Sequence, residues 1–180
     1  MNRSLMQHET LRYDSRTMWL HWLTALFILL AWGMAQVMDY FPSGGLRVDA
    51  RSVHVTLGLA VGVVLALRLW HRIHGGRALE AADEGMLQAL AKATHYILYV
   101  LVIAQVILGV MYVWSRGDSI FGLFRMPGGI DRATRQTIGD AHAFVAWCIL
   151  GVAGFHAAAA LFHHFVWRDG VLRRMLPRRA

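Results

Sequence analysis

Four long apolar stretches, at residues 19–38, 53–70, 96–114 and 141–167, are separated by short polar breaks. Each stretch reaches or approaches the roughly 20 residues a helix needs to cross a bilayer's hydrocarbon layer. With their flanks, they predict spans at about 16–38, 52–74, 93–115 and 139–167. The breaks carry turn chemistry: Pro42-Ser43-Gly44-Gly45, Gly75-Gly76 and Pro127-Gly128-Gly129. Connections this short make successive spans antiparallel. The expected architecture is therefore all-α: one integral-membrane, four-helix, up-down-up-down bundle. The first stretch is too long and aromatic for a signal peptide, lacks a clear small-residue cleavage site and carries His21, so a retained span is expected. Trp19, Trp22, Trp70, Trp114 and Trp167 lie at or near the ends of the stretches, as an interfacial aromatic belt would.

Composition sharpens this reading. The 180 residues are 57% hydrophobic and 16% charged, with a net charge of +7. A basic chain suits nucleic acid, anionic lipid or an anionic substrate. The arginines fall between apolar runs and form no continuous basic face, which argues against nucleic acid and leaves membrane lipid as the expected surroundings. Cys148 has no partner for an internal disulfide and reads as a small buried hydrophobe. No Rossmann fingerprint, P-loop, HExxH or CxxC motif is present, so catalysis by protein groups alone is not indicated.

Twelve basic residues lie on one side: Arg3, Arg12, Arg16, Arg68, Arg72, Arg77, Lys92, Arg168, Arg173, Arg174, Arg178 and Arg179. Six lie on the other: Arg47, Arg51, Arg116, Arg125, Arg132 and Arg135. The positive-inside rule then places both termini in the cytoplasm and the second side, in a bacterial inner membrane, in the periplasm.

Histidine has no ordinary place inside a bilayer, yet four occur at or within the spans. His21 starts the first span on the cytoplasmic side, and His54 starts the second on the periplasmic side. The fourth span runs parallel to the second, so His142 shares the depth of His54. His156 follows 14 residues later, about 21 Å along the axis and nearly four full turns on, at the depth of His21. One histidine pair per level results: His54 with His142, and His21 with His156. Ala146, Ile149 and Ala153 continue the shared face of the fourth span. Gly58 and Gly62 follow His54 and leave room for a flat macrocycle, although the same spacing is also a helix-packing motif.

Neutral imidazoles bind iron and tolerate burial. A pair of them fills both axial positions of a haem and leaves electron transfer as its work. Two haem b groups at two depths are therefore expected, with His21, His54, His142 and His156 as iron ligands. Arg68, on the face of His54 and near the inner level, is expected to reach a propionate of the inner haem. A single histidine in a span is as readily a helix–helix hydrogen bond. Four matched in depth and face favour the cofactor. His95 is expected at the interface without a depth-matched partner, and His71 and His74 as solvated interfacial groups. His163, one face-repeat beyond His156, reads equally as a hydrogen bond to a quinone carbonyl or as a membrane-edge histidine.

With Ser52-Val53-His54, His142 and the closing stretch His156-Ala-Ala-Ala-Ala-Leu-Phe-His163-His164-Phe-Val-Trp-Arg-Asp, the sequence resembles the bacterial cytochrome b561 family. The continuation Leu172-Arg173-Arg174-Met175-Leu176-Pro177 looks closest to its superoxide oxidase branch, and Tyr112, Arg116-Gly117 and Gly-Leu-Phe-Arg-Met-Pro127 are also similar. The resemblance covers residues 12–177 and implies a di-haem b bundle that oxidises superoxide at the periplasmic face and reduces ubiquinone. Quinone is expected near His163, Ser15 and Arg16. The six outer arginines would steer superoxide, or are simply solvated. Asp39, Asp49, Asp118, Asp131 and Asp140 share their side and leave a net charge of only +1. The main rival is a haem-bearing anchor that passes electrons between a periplasmic dehydrogenase or hydrogenase and the quinone pool. A further rival is a membrane bundle with structural histidines only.

Overall fold

The computed structural model describes residues 12–76, 79 and 84–176. Four helices dominate it: α1 (Ser15–Val37), α2 (Gly45–His74), α3 (Gly85–Arg116) and α4 (Arg132–Phe162). All four belong to segments long and apolar enough to cross a membrane. This is the multi-pass bundle that the hydrophobic pattern predicts. Arg3, Arg77, Arg178 and Arg179, which the charge count used, lie outside the described residues, as does Pro177 of the closing motif.

Local chemistry sets the helix ends. Asp14 caps α1, accepting from the Thr17 backbone N–H (3.0 Å) and the Thr17 hydroxyl (2.7 Å). Asp131 caps α4 by accepting from the Thr134 N–H at 2.9 Å. Gly117, at φ 66°, closes α3 in the left-handed region that glycine enters without a side-chain clash. The helices run longer than the apolar stretches: α3 has 32 residues, about 48 Å, against a hydrocarbon layer of about 30 Å. Hydropathy marks only the lipid-immersed part, whereas backbone hydrogen bonding carries each helix on through the interface.

Burial is inverted relative to a water-soluble protein. Leu29, Leu59, Val63, Val100, Phe144 and Trp147 face outward, while Thr24, Ser52, Thr94 and Ser115 are buried. Those hydroxyls are satisfied within their own helices, Thr24 by Leu20 O (2.6 Å), Ser52 by Val48 O (2.7 Å), Thr94 by Leu90 O (2.9 Å) and Ser115 by Tyr112 O (2.8 Å). Lipid offers nothing to bond, so self-satisfaction is what makes polar residues tolerable here.

Backbones pack closely between α1 and α2 and between α3 and α4, and more sparsely between α2 and α3. The boundaries of α4 with α1 and with α2 are wider and are bridged by side chains. The buried core is Val61 and Leu65 of α2, Val102 of α3 and Ile149 of α4, flanked by Phe27, Ile28, Tyr99 and Val106. Ile149 is seven residues from both His142 and His156. The core therefore forms an apolar layer between the two histidine levels. Its cohesion comes from shape and dispersion, because lipid is as apolar as the side chains.

Three details depart from expectation. The α3–α4 connection holds a small antiparallel ladder, β1 (Ser119–Ile120) with β2 (Phe124–Arg125). Gly122 at φ 72° follows Phe121 at φ 48°, which allows the tight reversal, and Ser52 Oγ accepts the Phe121 N–H at 2.8 Å to tie the hairpin to α2. Cys148, expected to be buried, is only half-buried. His71, expected to be solvated, has a side chain only 18% exposed and bonds Asp14 Oδ1 at 2.9 Å, because α2 ends where α1 begins. His74 stays exposed, stacked on Trp70 at 3.9 Å.

The chain end folds back over the start of α1. After α4, His163–Trp167 form one wider π-turn and Leu172–Met175 a 3-10 turn. Trp22 Nε1 donates to Met175 O (2.7 Å), Arg12 Nη1 to Leu176 O (3.2 Å) and the Tyr13 N–H to Arg174 O (3.1 Å).

Candidate functional site

The four span histidines meet in two pairs across the wide boundaries of the bundle. His54 of α2 and His142 of α4 have ring centres 6.2 Å apart with planes at 83°. His21 of α1 and His156 of α4 are also 6.2 Å apart, at 76°. Both pairings match those expected from depth and helical face.

The spacing can be compared with what a metal between two imidazoles requires. A metal–nitrogen bond of about 2.0–2.1 Å, plus about 1.1 Å from nitrogen to ring centre, puts opposed ring centres about 6.3 Å apart. Imidazoles bonding each other directly would sit closer. The His54 Nδ1–H donates to Ala31 O at 2.9 Å, which fixes the tautomer and leaves Nε2 with its lone pair. His21 Nδ1 and His142 Nδ1 are buried without a hydrogen-bond partner among the described residues. Unpaired buried polar atoms are costly and mark places where something else is accommodated.

The glycines divide between the two readings left open by their spacing. A Cβ on Gly62 would lie 3.1 Å from Val106 Cγ1, so Gly62 is a packing glycine. A Cβ on Gly58 would meet nothing within 4 Å, so the space one turn beyond His54 is open. Together with the small faces of Ala146 and Ala153 on α4, this accommodates a flat ring system at the level of an iron-binding pair. The residues at the outer level therefore fit a haem, and the inner pair repeats the same ring spacing.

Arg68 is placed as expected beside the inner pair, near enough for its charge to bear on both His21 and His156. Its guanidinium lies over the Tyr99 ring, 5.3 Å from the centre. Among the described residues it has no carboxylate partner. A partly buried cation without an anion is an unbalanced charge, and a propionate of a haem at this level would balance it.

The inner site contains a residue the depth argument set aside. His95 of α3 has its ring centre 5.0 Å from that of His156, edge to face. The expectation that it has no depth-matched partner is therefore incorrect. His95 begins its span on the same side as His21, so the depth rule applied to α1 places it here equally well. Its Nδ1–H donates to Ala91 O at 2.6 Å.

The outer site is lined by α3. Gln105 Nε2 lies 3.2 Å from His142 Nε2, and the Tyr112 ring lies near-parallel to His142 at 6.5 Å. Arg116 Nη1 donates to the Tyr112 hydroxyl at 3.2 Å, and its Nε reaches both Asp118 oxygens, at 2.9 and 3.1 Å. Of the other outer arginines, Arg51 pairs with Asp39 (3.0 Å) and Arg47 donates to Phe41 O. A polar residue seven positions before Tyr112, within an otherwise apolar stretch, was the available signal for Gln105.

The residues expected near quinone lie at the start of α1 and in the π-turn after α4. Ser15 and Arg16 are exposed at the first turn of α1. His163 is half-buried in the π-turn, with Nδ1 bonded to Asp169 Oδ2 and its ring 4.6 Å from that of Trp167.

Residues 12–178 match the family described as prokaryotic cytochrome b561. Three curated relatives cover nearly the whole chain. "Probable superoxide oxidase CybB" of Yersinia pestis is 29% identical, covering 93% of this chain and 97% of that protein. "Cytochrome b561 homolog 1" of Escherichia coli (strain K12) is 28% identical, covering 93% and 98%. "Cytochrome b561 homolog 2" of the same strain is 30% identical, covering 92% and 91%.

Proposed function

The chain belongs to the prokaryotic cytochrome b561 family, a family of haem b membrane electron-transfer proteins, and from that premise we propose that it binds two haem b groups and passes electrons from superoxide to ubiquinone. The observation that carries the reading is the paired spacing: two bis-histidine sites at 6.2 Å, one at each level of the bundle. His54 and His142 are assigned to the outer haem and His21 and His156 to the inner. Bound there, bis-imidazole haem supplies a one-electron carrier with no open coordination position.

The chain's own residues supply the rest. Ala31 O holds His54 in the tautomer that presents Nε2. Arg68 offers a cation to a propionate at the inner level. The superoxide donor is taken from the likeness to the Yersinia pestis protein, whose name carries that activity. In balance, two superoxide anions each give up one electron and leave as dioxygen, while one ubiquinone gains two electrons and two protons. Arg125, Arg132 and Arg135 have no ion-pair partner among the described residues and are the cations available to draw in superoxide, on a side whose net charge is only +1. With that side periplasmic and both termini cytoplasmic in a bacterial inner membrane, quinone is reduced near Ser15, Arg16 and His163.

The test is superoxide-driven ubiquinone reduction by the purified protein, alongside its visible spectrum. The expected result is a two-haem b spectrum and a quinone-dependent superoxide consumption faster than spontaneous dismutation. A colourless protein would reject the haem assignment. A two-haem protein with no such rate would reject superoxide as donor and leave electron transfer from another source.

A further inference from the structure

Helix α3 supplies no haem ligand in the assignment above, yet three of its residues enclose His142. Gln105 places its amide 3.2 Å from Nε2. Gly109, one turn on, leaves its side-chain position to the ring: a Cβ there would lie 3.1 Å from His142 Cε1 and 3.6 Å from Nδ1. Tyr112 lies near-parallel to the ring, 6.5 Å from its centre. Tyr112 is in turn held against Gly139 of α4, where a Cβ would come within 2.9 Å of its ring.

Hydrogen bonding within this enclosure is incomplete. Among the described residues, Gln105 Oε1 is a buried acceptor with no partner, and His142 Nδ1 is a buried nitrogen with none. A half-turn of the amide exchanges its nitrogen for its oxygen beside His142 Nε2, 3.2 Å away, without moving either helix. When one imidazole nitrogen binds iron, the other carries an N–H that requires an acceptor. His54 has such an acceptor in Ala31 O; the Gln105 oxygen is the corresponding group beside His142.

We propose that Gln105 is the positioning residue of the outer haem, accepting the N–H of the His142 imidazole and so setting that ligand's orientation and electron donation. Accepting from the N–H makes the imidazole a stronger donor to iron and favours the oxidised haem. The inference rests on the outer haem lying between His54 and His142. Absence of that haem from the wild-type protein would overturn that reading. Its presence, with unmoved signals in the variant, would overturn the role of Gln105 alone.

The experiment is Gln105→Leu in the two-haem protein, with a spectroelectrochemical titration and low-temperature EPR of the ferric state. EPR reports the angle between the two axial imidazole planes, 83° for the outer pair. The expected result is a higher outer-haem potential and a displaced outer-haem EPR signal, with both inner-haem values unchanged. No change, or an equal change at both haems, overturns the proposal. Should leucine empty the outer site, Gln105→Asn and Gln105→Met decide. Retention of the outer haem by asparagine but not methionine supports the hydrogen bond, and equal loss from both overturns it.

Discussion

The ring centre of His95 stands 5.0 Å from that of His156, closer than His21 at 6.2 Å. Proximity does not make it a ligand. Opposed imidazoles on one metal require about 6.3 Å between ring centres, which the His21–His156 pair meets and the His95–His156 pair does not. His95→Ala is therefore expected to retain two haems per chain. His21→Ala or His156→Ala should retain one, at the outer level. A pyridine haemochrome assay with redox titration distinguishes these outcomes, and loss of the inner haem from His95→Ala would reverse the assignment.

Gly58 and Gly62 separate haem room from helix packing. Gly58→Leu should lower haem occupancy at the outer level, because its side chain enters space the haem needs. Gly62→Leu should instead strain the α2–α3 contact at Val106, costing about 1–3 kcal/mol of stability without first emptying a site. Haem stoichiometry and thermal unfolding, measured on both variants, should rank them in opposite orders.

Arg68 places a positive charge beside the inner pair. Removing it in Arg68→Gln should favour the oxidised haem and lower the inner potential, by on the order of 60 mV, a tenfold change in a one-electron equilibrium. Arg68→Glu should lower it further. An unchanged inner potential in both would show that the guanidinium does not face the haem.

Gly139 receives the Tyr112 ring. Gly139→Ala should force that ring aside, costing about 1–3 kcal/mol, and shift the outer-haem spectrum while leaving the inner one. A spectrum identical to wild type at both haems would exclude Tyr112 from the outer site.

Asp169 ties the chain end to the π-turn. Burial alone would raise its carboxyl pKa, but the Val171 N–H and His163 outweigh this and leave it below the ordinary value. A depressed carboxyl gives stability that is fully present above its unfolded value, near pH 4, and is lost as pH falls through the folded value. Limited proteolysis of the segment after Asp169 should therefore accelerate only in that acid range. Asp169→Asn should accelerate it at neutral pH. Acid-insensitive cleavage would contradict the tie.

Period and depth were enough to predict the bundle and both histidine pairs. Span length follows from bilayer thickness, and antiparallel order follows from short connections, so His142 and His156 could be sorted against His54 and His21 by counting residues. What could not be counted was lateral position. Nothing in residue number tells which side of α3 faces α4, so His95 and Gln105 were not placed beside His156 and His142. The Asp14–His71 contact likewise depends on how far α2 extends past its apolar stretch, a length set by backbone bonding in the interface. The hairpin tied to Ser52 depends on one hydroxyl reaching across the bundle.

With a haem at each level, the side chains of Val61, Leu65, Val102 and Ile149 would act as an insulator between two conductors. An electron can tunnel through such an apolar layer, whereas a proton or ion finds nothing to hop along on these four aliphatic side chains, none of which titrates. Turnover would then separate charge without leakage. Each electron that moves between the levels crosses part of the membrane voltage, and a full crossing is worth about 2.3 kcal/mol per 100 mV. In sealed vesicles the rate of this protein should respond to an imposed potential, and a polar replacement of Ile149 would short-circuit that response.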